Sequence, residues 1–167
     1  MGPTIRRATL EDAGAIGALH VRTWRRNYAD IVDAQILDAI EPESRAARWA
    51  TTLSAQDSTT LVAEVAGTIC GFARVGTSGE QHAPAGEGEL CALYVDPAAQ
   101  GAGVGTALLA AAVSALRERG HTSAVLRVMT ENGLAQRFYA RLGWTLVPGS
   151  ELPHWWGVSV VLYRRAL

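Results

Sequence analysis

The segment Gln100-Gly101-Ala102-Gly103-Val104-Gly105-Thr106 follows a predicted strand that breaks at Asp96 and Pro97, and it leads into a helix bearing Leu108, Leu109, Val113 and Leu116. The first N–H groups of a helix have no internal partners and the helix dipole is positive there. Glycines also let a ligand approach the backbone closely, so this order of elements suits a pyrophosphate. Two familiar glycine loops fail on the residues: a P-loop needs Gly-Lys-Ser/Thr, and a dinucleotide fingerprint counted from Gly101 needs glycine where Thr106 stands. All fifteen basic residues other than histidine are arginine. A chain without lysine has no P-loop lysine, no Schiff-base lysine and no self-acylation on lysine.

Two further residues have the chemistry of proton transfer. Glu89 begins an otherwise apolar strand, where a carboxylate is either an exposed strand end or a group placed for work. Strict alternation puts Glu89, Leu93 and Val95 on one face, and a β-bulge would break that parity. Glu87, His82 and His154 are substitutes with less positional support. Tyr139 lies on a helix beside Phe138, where a core aromatic whose hydroxyl finds a partner is the plain reading. Asn132 precedes that helix and reads as an N-cap. Cys70 and Cys91 belong to no CxxC pair and no zinc spacing, so they read as structural thiols, and no metal is expected.

Two spaced patterns combine these residues. One is Q-x-x-G-x-G, from Gln100 through Gly103 to Gly105. The other is N-x-x-A-x-x-F-Y-x-x-x-G-F/W, carried by Asn132, Ala135, Phe138, Tyr139, Gly143 and Trp144. Together they resemble the GCN5-related N-acetyltransferases, and Ile5-Arg6, Asp12, Trp24 and Tyr28 extend the resemblance over most of the chain. It implies an α/β fold with a mixed, largely antiparallel sheet flanked by helices on both faces, and acetyl-coenzyme A as co-substrate. Backbone at Leu93, Tyr94 and Val95 would pair with the pantetheine arm. The N–H groups of Gln100, Gly101, Ala102, Gly103, Val104, Gly105 and Thr106 would hold the pyrophosphate, with Asn132 in contact. Ala102 departs from the pattern, since many relatives carry a basic residue there.

The resemblance further implies Tyr139 as the acid for the leaving thiolate and Glu89 as the base for the attacking amine. The wall of the acceptor pocket falls to Trp24, Tyr28, Trp155 and Trp156. The expected reaction is direct attack of a small-molecule primary amine on the thioester, with the oxyanion held by a strand N–H near Val95. A covalent route through Cys91 is less favoured, because no histidine is placed beside it by sequence. Two other readings stay open: a non-catalytic acyl-coenzyme A sensor, and a protein acetyltransferase acting on an N-terminus or a lysine.

Positioning these groups takes an ordered set of elements. Thr4 to Ala8 reads as a strand. Thr9 and Asp12 open a helix carrying Ile16, Leu19, His20 and Trp24 at helical spacing. Asp33 to Ile40 and Pro42 to about Leu53 are helical, and Leu61 to Ala66 with Thr68 to Val75 form a hairpin at Gly67. After a polar loop from Gly76 to Gly88 come strand Glu89 to Val95, helix Gly103 to Arg119, strand Ala124 to Thr130, helix Gly133 to Leu142 and strand Val158 to Tyr163. Strands interleaved with helices describe a mixed sheet covered on both faces.

At 167 residues, 49% apolar and 19% charged, the chain reads as a single domain over residues 1–167. A net charge of -1 and arginines scattered in pairs argue against nucleic acid and membrane as partners. The N-terminus has no apolar core of an export signal, and Pro97 to Leu116 is a loop and a buried helix rather than a span. A cytoplasmic location is the resulting expectation, and a homodimer is left open.

Overall fold

The computed structural model describes residues 2–153 and 157–167. The first half runs β1 (Thr4–Arg7), α1 (Ala13–Asn27), α2 (Ala34–Asp38), α3 (Pro42–Ser54), β2 (Ser58–Val65) and β3 (Thr68–Thr77). The second half runs β4 (Glu87–Val95), α4 (Val104–Glu118), β5 (Ser123–Met129), α5 (Gly133–Arg141), β6 (Thr145–Leu146), β7 (Leu152–Pro153) and β8 (Ser159–Ala166). Among the described residues these strands form one sheet in the order β1-β2-β3-β4-β5-β8-β6, with β7 also on β8. Every pairing is antiparallel except β4 with β5. This is the mixed, largely antiparallel sheet that the sequence implied. No helix among the described residues is long and apolar enough to cross a membrane.

Each face buries its own core. Leu61, Ala73, Val75, Leu90, Leu126 and Val128 meet Val104, Leu108, Leu109, Ala112 and Leu116 of α4, with Tyr139 of α5. The opposite face packs Val62 and Phe72 against Ile16 and Leu19 of α1 and Trp49 of α3. The two helices on that face approach very closely: a Cβ on Gly17 would lie 2.7 Å from the backbone nitrogen of Ala46. Only glycine fits there.

Several expectations shift at the edges. The second helix is confined to Ala34–Asp38, with the Asp33 carboxylate accepting from the Gln35 N–H at 2.8 Å. The hairpin strands reach back to Ser58 and on to Thr77 because both remain in register, Ser58 opposite Gly76. The last strand continues to Ala166, pairing Ser123 of β5. The strands β6 and β7, two residues each, were not foreseen.

In β4 a bulge breaks strict alternation. Opposite β3, Val75 pairs with Leu90 and Arg74 with Ala92, so Cys91 is an extra, bulged residue. Leu90, Leu93 and Val95 therefore share the α4 face, while Ala92 and Tyr94 pack on the other side. Before the bulge, Glu89 alternates with Leu90, which turns it to the α1 side with Ala92 and Tyr94 instead of alongside Leu93 and Val95.

Candidate active site

The parallel ladder between β4 and β5 ends at the pair Leu90 and Leu126. Beyond it the strands part, since β4 stays with β3 as far as Val95 while β5 stays with β8 as far as Met129. The edge of β4 from Cys91 to Val95 that faces the gap has no strand partner among the described residues. A cleft of about 930 Å³ opens there.

Most of the residues singled out from the sequence meet at this cleft. Its lining includes Glu89, Leu93, Tyr94, Val95, Gln100, Gly101, Gly103, Gly105, Thr106, Asn132, Tyr139, Trp24 and Tyr28. Ala102 and Val104 are absent from the lining. Ala102 is exposed and Val104 turns its side chain into the core, leaving only their backbone N–H groups for a ligand. Trp155 and Trp156, the other two residues expected in the acceptor wall, and His154 lie outside the described residues.

The glycine loop is built for close approach. Gly101 and Gly103 take φ of 80° and 81°, a region that side chains disfavour. A Cβ on either would meet nothing within 4 Å, so the space over both is open. Gly103 is the N-cap of α4, whose first turn presents its free N–H groups to that opening. The Gln100 amide donates to the Val95 carbonyl at 3.3 Å, tying the loop to the end of β4. The helix α5 closes the other side, with Phe138 3.4 Å from where a Gly105 Cβ would stand. An open loop of N–H groups beside an unpaired strand edge fits the pyrophosphate and pantetheine of a coenzyme A.

Asn132 does cap α5, its side chain accepting from the Ala135 N–H at 3.1 Å, while still lining the cleft. Tyr139 is buried, with its ring edge-on to Phe138 and to Trp144. Burial, then the nearby Tyr94, hold its phenol above the usual tyrosine range, so it remains a proton donor at neutral pH. Tyr28 and Tyr94 are raised as well, in each case chiefly by burial. Trp24 stands edge-on to Tyr28 with centroids 5.0 Å apart and its ring also packs near that of Tyr94, centroids 6.4 Å apart.

Glu89 is buried and both of its carboxylate oxygens are engaged. Oε1 accepts from Arg127 of β5 and Oε2 accepts from the Gly79 N–H at 3.0 Å. Arg127 also donates to Glu80. Neither arginine nor loop was singled out in the sequence. The signal was a lone charge inside an apolar strand, the same feature that marked Glu89. Of the substitutes, Glu87 has a fully buried side chain held by Arg164 at 2.5 Å, and the exposed His82 does not line the cleft.

Cys91 does line the cleft. The residue is exposed as a whole, but its thiol is crowded by protein. Loss of solvent, followed by the Glu89 charge, pushes it up to about 11. A thiol at that level is almost wholly protonated at neutral pH and is a poor nucleophile. Among the described residues no group of three or more His, Cys, Asp or Glu is placed to hold a metal ion.

The fold and this cleft define a class that the comparisons identify. Residues 18–144 match the acetyltransferase (GNAT) family, and the chain belongs to it. The uncharacterized N-acetyltransferase YuaI of Bacillus subtilis is 30% identical over 130 residues, covering 77% of this chain and 73% of that protein. The mycothiol acetyltransferase of Streptosporangium roseum is 43% identical over 90 residues, 54% of this chain but only 23% of its own length. The crystal structure of PaiA N-acetyltransferase from Thermoplasma acidophilum in complex with coenzyme A superposes with a TM-score of 0.78, covering 100% of both chains at 20% identity. At that identity the likeness speaks for the fold alone.

Proposed function

We propose that this chain transfers the acetyl group of acetyl-coenzyme A to a primary amine of a small molecule, without a covalent acyl-enzyme. The observation that carries this reading is the meeting of Glu89 and Tyr139 in the one cleft that also holds the open glycine loop. When bound, acetyl-coenzyme A supplies the activated thioester. The chain's own groups do the rest. The N–H groups of residues 100–106 take the pyrophosphate, and the free edge of β4 from Leu93 to Val95 takes the pantetheine arm.

Glu89, directly or through a water, accepts the proton that the amine nitrogen loses as it bonds to the acetyl carbon. A strand N–H near Val95 holds the oxyanion. The carbon–sulfur bond then breaks with its electron pair on sulfur, and the Tyr139 hydroxyl protonates that thiolate. Trp24 and Tyr28 form the described part of the acceptor wall, an aromatic surface that favours a compact apolar or cationic amine.

The test is free-thiol release from acetyl-coenzyme A with a panel of small amines, N-terminal peptides and lysine peptides. Small amines should support turnover well above the peptides. Turnover confined to peptides would replace the acceptor assignment with protein acetylation, and no turnover with any acceptor, alongside tight coenzyme binding, would leave a sensor module.

A further inference from the structure

We propose that Arg127 is a positioning residue for the reaction, holding Glu89 in its working orientation and tying it to the loop between β3 and β4 through Glu80. This rests on Glu89 being the base.

The geometry is specific. Arg127 is the first residue of β5 beyond the parallel ladder with β4, which ends at Leu126. Its guanidinium reaches back across the opening gap, giving one terminal nitrogen to Glu89 and the other to Glu80. Gly79, next to Glu80 on the same loop, donates its N–H to the second oxygen of Glu89 at 3.0 Å. The loop and the carboxylate are thus held by one cation and by each other.

Exposure orders the three groups: the Arg127 side chain is 33% exposed, Glu80 19% and Glu89 10%. Both the arginine and the Glu89 carboxylate line the cleft, the arginine being the more open of the two. Arg137 and Arg141 of α5 line the same cleft, while the charged groups on the neighbouring strands are committed elsewhere. Glu87 pairs with Arg164 of β8 and meets Ser78, and Arg74 of β3 bonds Ser58. The Cys91 thiol bonds the Glu89 carbonyl rather than its carboxylate.

Physical consequences follow from this arrangement. A glutamate side chain has several rotamers, and a base must be held within about 0.5 Å of its working geometry. Two fixed donors remove that freedom while leaving lone pairs for an amine proton or a water. Taking the cation away leaves a mostly buried carboxylate with one neutral donor, a setting that favours protonation. Lysine would restore the charge without the fork that spans Glu80 and Glu89.

The experiment compares wild type, Arg127→Met, Arg127→Lys, Glu80→Gln and Glu89→Gln in pH profiles of kcat/KM. Calorimetry of coenzyme A and hydrogen exchange of residues 78–86 accompany them. Arg127→Met should lose roughly ten- to a hundredfold in kcat, move the acid limb to higher pH and keep coenzyme affinity within about threefold. Arg127→Lys should return the limb toward wild type while recovering kcat only in part, and both Arg127→Met and Glu80→Gln should speed exchange across the loop. A folded Arg127→Met with wild-type kcat and acid limb overturns the proposal while Glu89→Gln still abolishes that limb. A Glu89→Gln profile parallel to wild type overturns the base assignment and this inference with it. Should Arg127→Met fail to fold, an unchanged limb and wild-type kcat in Arg127→Lys, with unchanged exchange in Glu80→Gln, overturn it equally.

Discussion

The indole N–H of Trp49 on α3 donates to Nδ1 of His20 on α1 at 3.0 Å, inside the layer beneath Tyr94. That bond assigns the remaining proton to Nε2, which is buried without a partner among the described residues. Burial, then Arg45 and Arg48 nearby, lower this histidine to about 3.

Stability should therefore fall with acid in a defined window. The folded state keeps His20 neutral, so between about 6.5 and about 3 the unfolded chain binds the extra proton. Unfolding free energy drops there by up to about 1.4 kcal/mol per pH unit. Urea titrations at pH 7, 6 and 5 should show this slope in wild type and a shallower one in His20→Gln. Equal slopes would show that another group sets the acid sensitivity. Asp12, lowered to about 2 chiefly by its bond to Arg6, acts only below about 4.

Replacing Gly103 by valine should weaken coenzyme A binding at least tenfold while lowering stability by only about 1–2 kcal/mol. A branched side chain would occupy the space over the loop and strain a left-handed residue. Calorimetry with coenzyme A and thermal melts of the free protein separate the two effects. Unchanged affinity in the folded variant would put the phosphates elsewhere.

Two glycines of α1 should respond oppositely to alanine. At Gly17 the new methyl would lie 2.7 Å from Ala46 backbone, which cannot rotate away, so overpacking of about 1–3 kcal/mol should outweigh the gain in helix propensity. At Gly14 a Cβ meets nothing within 4 Å, and the same change should stabilise by up to about 1 kcal/mol. Denaturant midpoints of the two variants decide it, and matching signs would contradict the packing of α1 on α3.

Tyr139→Phe keeps the ring against Phe138 and Trp144 and removes only the hydroxyl. Turnover should fall by roughly a hundredfold to ten-thousandfold with coenzyme affinity nearly unchanged. A loss under about threefold, measured where chemistry limits the rate, would assign Tyr139 to packing.

What the sequence made legible was the local chemistry. Strand, glycine loop and helix N-terminus lie within one short stretch, so residue types and spacing marked the open loop at Gly101 and Gly103 as a candidate phosphate site. Arg127 was not legible in the same way. Its partnership with Glu89 depends on the register that sets Glu89 opposite Val125, and strand register between distant segments leaves no mark on either one. The bulge at Cys91 arises from pairing with β3, so the sequence could name a bulge as the alternative to strict alternation without placing it or settling the face of Glu89. The strands β6 and β7 are too short for an alternating pattern to show.

Direct transfer is tested most plainly by a single turnover. Enzyme in excess over acetyl-coenzyme A labelled in the acetyl group is mixed with an amine that turns over, quenched at intervals, and the label followed by mass spectrometry of protein and small molecules. The label should pass from coenzyme to the amine nitrogen, with free thiol appearing at the same rate and no acetylated protein at any time. Transient label on Cys91, or label that stays on the coenzyme with every amine while binding remains tight, would contradict direct acetyl transfer by this cleft.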